Sequence, residues 1–206
     1  MNNYAGRCRH LLVCDVDEFA MPASGSPHER VIDAVRDLPK NVAWLEIDSW
    51  NFGHRPHQTR PEGGVVENYV WRREKLMPRN AQKSLISGAI ASHLNWWGGV
   101  HRPRWKVWKW LLRSGGWVHQ VDKGRLLRVN HYYTKSAEEW EERGRFWSRS
   151  GFNNRNGRRA DWREPPPLMY SEVRDEHARS LKEKVIATAR ENGDRAQSES
   201  TRSQGQ

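Results

Sequence analysis

The run His10-Leu11-Leu12-Val13-Cys14 passes directly into Asp15-Val16-Asp17-Glu18-Phe19. A short apolar run ending in acids is the pattern of a buried strand with carboxylates at its C-terminal end. In open α/β sheets, ligands bind at that end. The run therefore predicts an α/β chain in which Asp15 and Asp17 stand at the ligand-binding rim.

The rest of the chain extends this class. Ser26-Pro27-His28-Glu29 offers an N-cap, a proline at the first helical position and a capping-box glutamate, predicting a helix to about Leu38. Residues 42–52 alternate Ala43, Leu45 and Ile47 with Trp44, Glu46 and Asp48, and residues 65–71 alternate again, so both are expected to be strands. Shorter strand signals lie at residues 84–90, 117–121 and 125–132. Ser136 with Glu139 forms another capping box, opening a helix through Trp140 towards Trp147. Beyond Gly151 the composition turns polar. Residues 155–163 are basic and Pro165-Pro166-Pro167 is a stiff spacer; residues 171–192 suit a charged helix, and 193–206 are expected to be disordered.

Composition excludes several classes. No window approaches the roughly 18 uninterrupted apolar residues that span a bilayer. The first ten residues hold no charged leader followed by an apolar stretch. Thirty-five Lys and Arg against 25 Asp and Glu give +10, which favours polyanionic partners. Twelve tryptophans in 206 residues are too many for a disordered basic tail. Cys8 and Cys14, about 20 Å apart along a continuous strand, are too distant for a disulfide there. Residues 95–115 interleave Trp96, Trp97, Trp105, Trp108 and Trp110 with Lys and Arg. They suit a variable loop packing its indoles on the domain, or a helix at a membrane interface.

Two carboxylates one residue apart in a turn can reach one hard divalent cation. After Asp15 and Asp17 come Trp50-Asn51-Phe52-Gly53, Glu67-Asn68-Tyr69, Lys83-Ser84, His93, His131-Tyr132-Tyr133-Thr134-Lys135-Ser136 and Arg143-Gly144. This ordered set resembles glycosyltransferase family 92 and the family-2-like glycosyltransferases over residues 10–151. Their pattern is DVDEF, W-x-x-FG, E-x-[FY], K-S or K-x-I, H, and HYxxKS followed by an acidic helix and RG.

The resemblance implies a partial GT-A-like mixed sheet flanked by helices over residues 1–151, with 95–115 as an insertion. Residues 152–206 would be a basic, proline-containing linker, a polar C-terminal helix and a disordered tail. It implies a metal-dependent, inverting transfer of sugar from a nucleotide-sugar donor to a glycan acceptor, with a divalent metal, manganese first, bound by Asp15, Asp17 and His131. Asp15, Asp17, His131 and Lys135 would hold the donor diphosphate. Trp50, Phe52, Gly53, Lys83 and His93 would contact substrate, and Trp44 also offers a flat face. The acceptor hydroxyl needs a carboxylate base; Glu67 is the first choice, with Asp48 and Asp122 as alternatives. GT-A enzymes place a nucleoside-binding βαβ unit ahead of DxD. Here DxD begins at residue 15, so the sheet is expected to lack its first strands and expose an edge. A membrane contact would come through an upstream anchor or residues 95–115.

Two other classes compete. A phosphatase of the haloacid dehalogenase type wants Thr or Ser shortly after the acidic pair, where this chain has Phe19. A basic, tryptophan-rich nucleic-acid-binding module fits the charge and the stacking potential of indoles among arginines, but no RNP, zinc or helix-turn-helix signature accompanies them, so no specific nucleic acid is expected.

Overall fold

A computed structural model describes residues 7–77, 82–91, 116–149 and 172–203. It is a mixed α/β structure. His93, residues 95–115 and residues 152–171 lie outside the described residues.

The larger sheet holds β1 (His10–Leu12), β6 (Lys83–Ser87), β3 (Val42–Ile47) and β7 (Val118–Val121), in the order β1-β6-β3-β7. β6 is antiparallel to both neighbours, whereas β3 and β7 are parallel. β3 is central, so all six of its residues are buried and both sets of the alternation are covered. Ala43 is an extra residue there: Val42 pairs with Val118 and Trp44 with His119. A second sheet, in the order β2-β8-β4, joins β2 (Glu18–Pro22), β8 (Leu127–His131) and β4 (Ser49–Asn51). Helix α1 (Val31–Arg36) contributes Ala34 and Val35 to the core, with Leu38 just beyond it. They pack with Val42, Leu45 and Ile47 of β3, Leu85 of β6, and Leu127 and Val129 of β8.

Several expectations are corrected. β1 is a half-buried edge strand, not a buried one, because it pairs only with β6. β2, which shows no alternation in Glu18-Phe19-Ala20-Met21-Pro22, is a full strand antiparallel to β8. Residues 65–71 form a helical turn, α2 (Val65–Asn68), and then a short strand, β5 (Trp71–Arg72). The Tyr69 amide bonds the Val65 carbonyl at 3.1 Å, and this i, i+4 relation places Val65 and Tyr69 in one cluster with Phe52 and Tyr132. Two adjacent valines fit that period as well as they fit a strand.

The Ser26 cap is not used. The Ser26 hydroxyl accepts the His28 amide at 3.2 Å in a local turn, and α1 starts after Arg30, whose guanidinium grips Asp33 at 2.7 and 2.9 Å. A four-residue α3 (Gly88–Ala91) follows β6. The Ser136 box holds as expected: Glu139 N donates to Ser136 Oγ at 3.1 Å and Ser136 N to Glu139 Oε2 at 3.2 Å, opening α4 (Ala137–Arg149).

The C-terminal helix α5 (His177–Ser203) runs eleven residues into the stretch expected to be disordered, since Ala, Glu, Gln and Arg sustain a helix there. Its start is fastened to the body. β9 (Val173–Arg174) pairs with β5, and the Asp175 carboxylate, its side chain 9% exposed, accepts Arg72 Nε at 2.5 Å and Arg128 Nη2 at 2.9 Å. His177 Nε2 lies 2.8 Å from the Pro22 carbonyl. No helix among the described residues is long and apolar enough to cross a membrane. Cys8 and Cys14 form no disulfide with each other.

Candidate functional site

The carboxylates gather at one end of the larger sheet. β1, β3 and β7 all point the same way, and their C-terminal ends lead into Asp15, Asp48 and Asp122. β6 runs oppositely and begins there, so Lys83 enters the same rim.

A tight turn, Glu18 N to Asp15 O at 3.0 Å, closes the acidic loop. Lys83 is fully buried, its ammonium 2.6 Å from Glu18 Oε2 and 3.1 Å from Asp15 Oδ2. Glu18 Oε2 also accepts the Asp15 amide at 2.8 Å. The side chains of the two acids differ: Glu18 is 2% exposed and Asp15 54%. Glu18 is thus the internal partner of Lys83, and Asp15 is a carboxylate half in water.

Asp17 faces two groups from the far end of the domain. Pairing of Glu18 with His131 across β2 and β8, together with the 2.9 Å bond from Tyr132 N to Asp17 O, brings His131 Nε2 to 3.7 Å from Asp17 Oδ1. Arg143, on α4, donates to Asp17 Oδ2 at 3.0 Å and to the Tyr133 carbonyl at 2.8 Å, with its guanidinium over the Tyr133 ring. Burial alone would raise the Asp17 carboxyl; the His131 imidazole and Arg143 guanidinium outweigh it and hold the group at about 2. Lys135 stands in the turn ahead of α4 with φ 53°, and its charge acts on Glu139.

The three candidate bases separate clearly. Glu67 lies on α2 and is held by Lys182 of α5; that hydrogen bond lowers its carboxyl, the opposite of what a base needs. Asp122 is buried and caps its own loop, accepting Leu126 N at 2.9 Å and Leu127 N at 2.6 Å. Asp48 is raised, first by burial and then by Asp122 and Glu46, and Gln82 Nε2 donates to it at 3.2 Å. Asp48 is the one with enhanced basicity.

Most residues expected to touch substrate are internal. Phe52 is 1% exposed, its ring 4.8 Å from Tyr132. Gly53 is buried and bonds the Trp71 carbonyl at 2.9 Å. Lys83 is buried and twice paired. Trp44 is buried, bonded to Ser84 and stacked on His119. Trp50 is partly open, with Arg72 3.9 Å over its ring. The tyrosine of the E-x-[FY] element is likewise structural, since Tyr69 Oη donates to Glu139 Oε2 at 2.6 Å and ties α2 to the capping box. Sequence reasoning gave Glu18 and Arg143 no role, although both stood inside matched motifs.

Among the described residues no group of three or more His, Cys, Asp or Glu side chains is arranged to hold a metal ion. Two donors at about 2.1 Å from one ion stand roughly 3.0–3.6 Å apart, close to the 3.7 Å between Asp17 and His131. Asp15 is half-exposed and can turn. The residues fit a cation held by one or two carboxylates and completed by phosphate oxygens and water. No protein-family model matches the chain, and no curated protein matches it.

Proposed function

We propose that the chain carries the donor-diphosphate pole of a GT-A-like, metal-dependent glycosyltransferase, moving sugar with inversion from a nucleotide-sugar to a glycan acceptor. The observation that supports this reading is convergence. The Asp15/Asp17 pair, Lys83, His131 and Arg143 come from four separate motifs, with Asp17 and Arg143 126 positions apart, yet they meet at one rim. Asp17, His131 and Asp15 would hold manganese. A bound cation would neutralise charge growing on the leaving diphosphate. Arg143 and His131 hold the Asp17 carboxylate, so that it needs little reorganisation on binding, whereas the half-exposed Asp15 would turn to join it. Asp48, made more basic by burial and then by Asp122 and Glu46, would take the acceptor hydroxyl's proton. The nucleic-acid reading rests chiefly on residues 95–115, outside the described residues.

Calorimetry with manganese and a panel of nucleoside diphosphates tests the proposal. A manganese-dependent component of binding is expected, weakened at least about tenfold by Asp17→Asn, as expected for loss of a charged ligand worth over 1.4 kcal/mol. Absence of that component for every nucleotide, or its persistence in Asp17→Asn, would overturn it. Salt-dependent oligonucleotide binding in its place would favour the nucleic-acid class.

A further inference from the structure

At the opposite end of the larger sheet lies a cavity of about 370 Å³, lined by Arg9, His10, Lys40, Ser87 and Trp117 among others. It sits where β1 begins, β6 ends, and β3 and β7 start together: His10 pairs with Ser87, and Val42 with Val118. The acidic rim is at the other end of these strands, so this site is separate from the one described above.

Its walls are fixed by backbone contacts. Gly88 N bonds the Arg9 carbonyl at 2.9 Å, and a Cβ on Gly88 would fall 1.8 Å from the Cys8 carbonyl oxygen. Only glycine allows the two segments to pack this closely. Val118 N bonds the Asn41 carbonyl at 2.9 Å, and Asn41 Nδ2 donates to the Gly116 carbonyl at 3.2 Å. These two bonds hold Lys40 beside Trp117. Arg9 donates to the Arg36 carbonyl at 3.2 Å, which orients its guanidinium.

The chemistry of the lining is specific. It holds two cations and, among the described lining residues, no acid. The half-buried Trp117 supplies an aromatic wall. His10 Nδ1 is buried and finds no hydrogen-bond partner. Burial, then the Arg9 charge, lowers the His10 titration. The volume is at the low end for small-molecule sites, roughly 300–1,000 Å³. The cavity is an open cleft of about the volume a mononucleotide fills.

We infer that this cavity binds a nucleoside monophosphate or a ligand of the same make, with the ring against Trp117 and the phosphate between Arg9 and Lys40. The binding is independent of divalent metal and of Asp17.

Calorimetry on the full chain in excess chelator, with AMP, UMP and inorganic phosphate as probes, tests it. Both nucleotides are expected to bind, and phosphate more weakly. Arg9→Ala with Lys40→Ala, both exposed, should weaken all three probes at least about tenfold at unchanged melting temperature. Trp117→Leu should weaken the nucleotides roughly 5- to 150-fold, the worth of one stacked base, and leave phosphate unchanged. Asp17→Asn should alter none of them, which separates this result from failure of the glycosyltransferase reading. The inference is overturned by lack of nucleotide binding at millimolar concentration, by phosphate binding as tightly as AMP, by indifference to the Arg9/Lys40 double change, or by loss of binding in Asp17→Asn.

Discussion

Lys83 bonds two carboxylates, and burial decides which bond matters. Glu18 has 2% of its side chain exposed and Asp15 54%, while Lys83 has none. Replacing Lys83 by Met keeps most of the stem and removes the charge, stranding Glu18 in a site water does not reach. Breaking a buried pair from one side costs about 3–5 kcal/mol. Removing the half-exposed partner, Asp15→Asn, costs under about 1 kcal/mol, as surface ion pairs do. The double change Lys83→Met with Glu18→Gln should recover most of the first loss, because the remaining amide is neutral and can still accept the Asp15 amide. Urea denaturation of the four proteins at pH 7 gives these differences directly. The reasoning is refuted if Lys83→Met costs less than Asp15→Asn, or if the double variant is no more stable than Lys83→Met.

Other outcomes follow from the same geometry. Asp17 is held at about 2 against an ordinary value of 3.8, so its contribution is present above pH 4 and is lost as pH falls towards 2. It amounts to about 2 kcal/mol, and acid titration of stability should show that slope in the parent and not in Asp17→Asn. In a transfer assay Asp48→Asn should lower kcat by about 10²–10⁴, whereas Glu67→Gln, which alters only the contact with Lys182, should change it less than tenfold. Asp175→Ala strands the buried Arg128 beside Arg72 and should cost about 3–5 kcal/mol in thermal or urea unfolding.

Local chemistry was legible in the sequence, and long-range placement much less so. The Ser136 capping box needs only residues three apart, and it formed as read. The Ser26 box is equally good as a pattern, but Arg30 and Asp33 set a later start for α1. β8 was visible as a run of alternating residues; β2 was not, because its pairing comes from β8 and not from its own composition. Lysine reads as a surface residue, so nothing in Lys83 announced a fully buried ammonium until Glu18 was found against it. The approach of His131 to Asp17 was expected from the resemblance alone, since no spacing rule links residues so far apart. The ion pair of Glu67 with Lys182 was not legible because Lys182 lies in a segment read as a separate tail.

The fastening of Asp175 bears on how the chain is made. Arg128 and Asp175 are 47 residues apart, and Arg72 and Asp175 103. At about 5–20 residues per second of synthesis, the Arg128 guanidinium waits roughly 2–9 s for its counter-ion and Arg72 roughly 5–21 s. During that interval β2, β8 and β4 can pair, but the arginine beside them has no buried acid to meet. Closure of this part of the molecule is therefore timed by translation, and slow codons between residues 128 and 175 would prolong the exposure of a half-built sheet to chaperones and proteases.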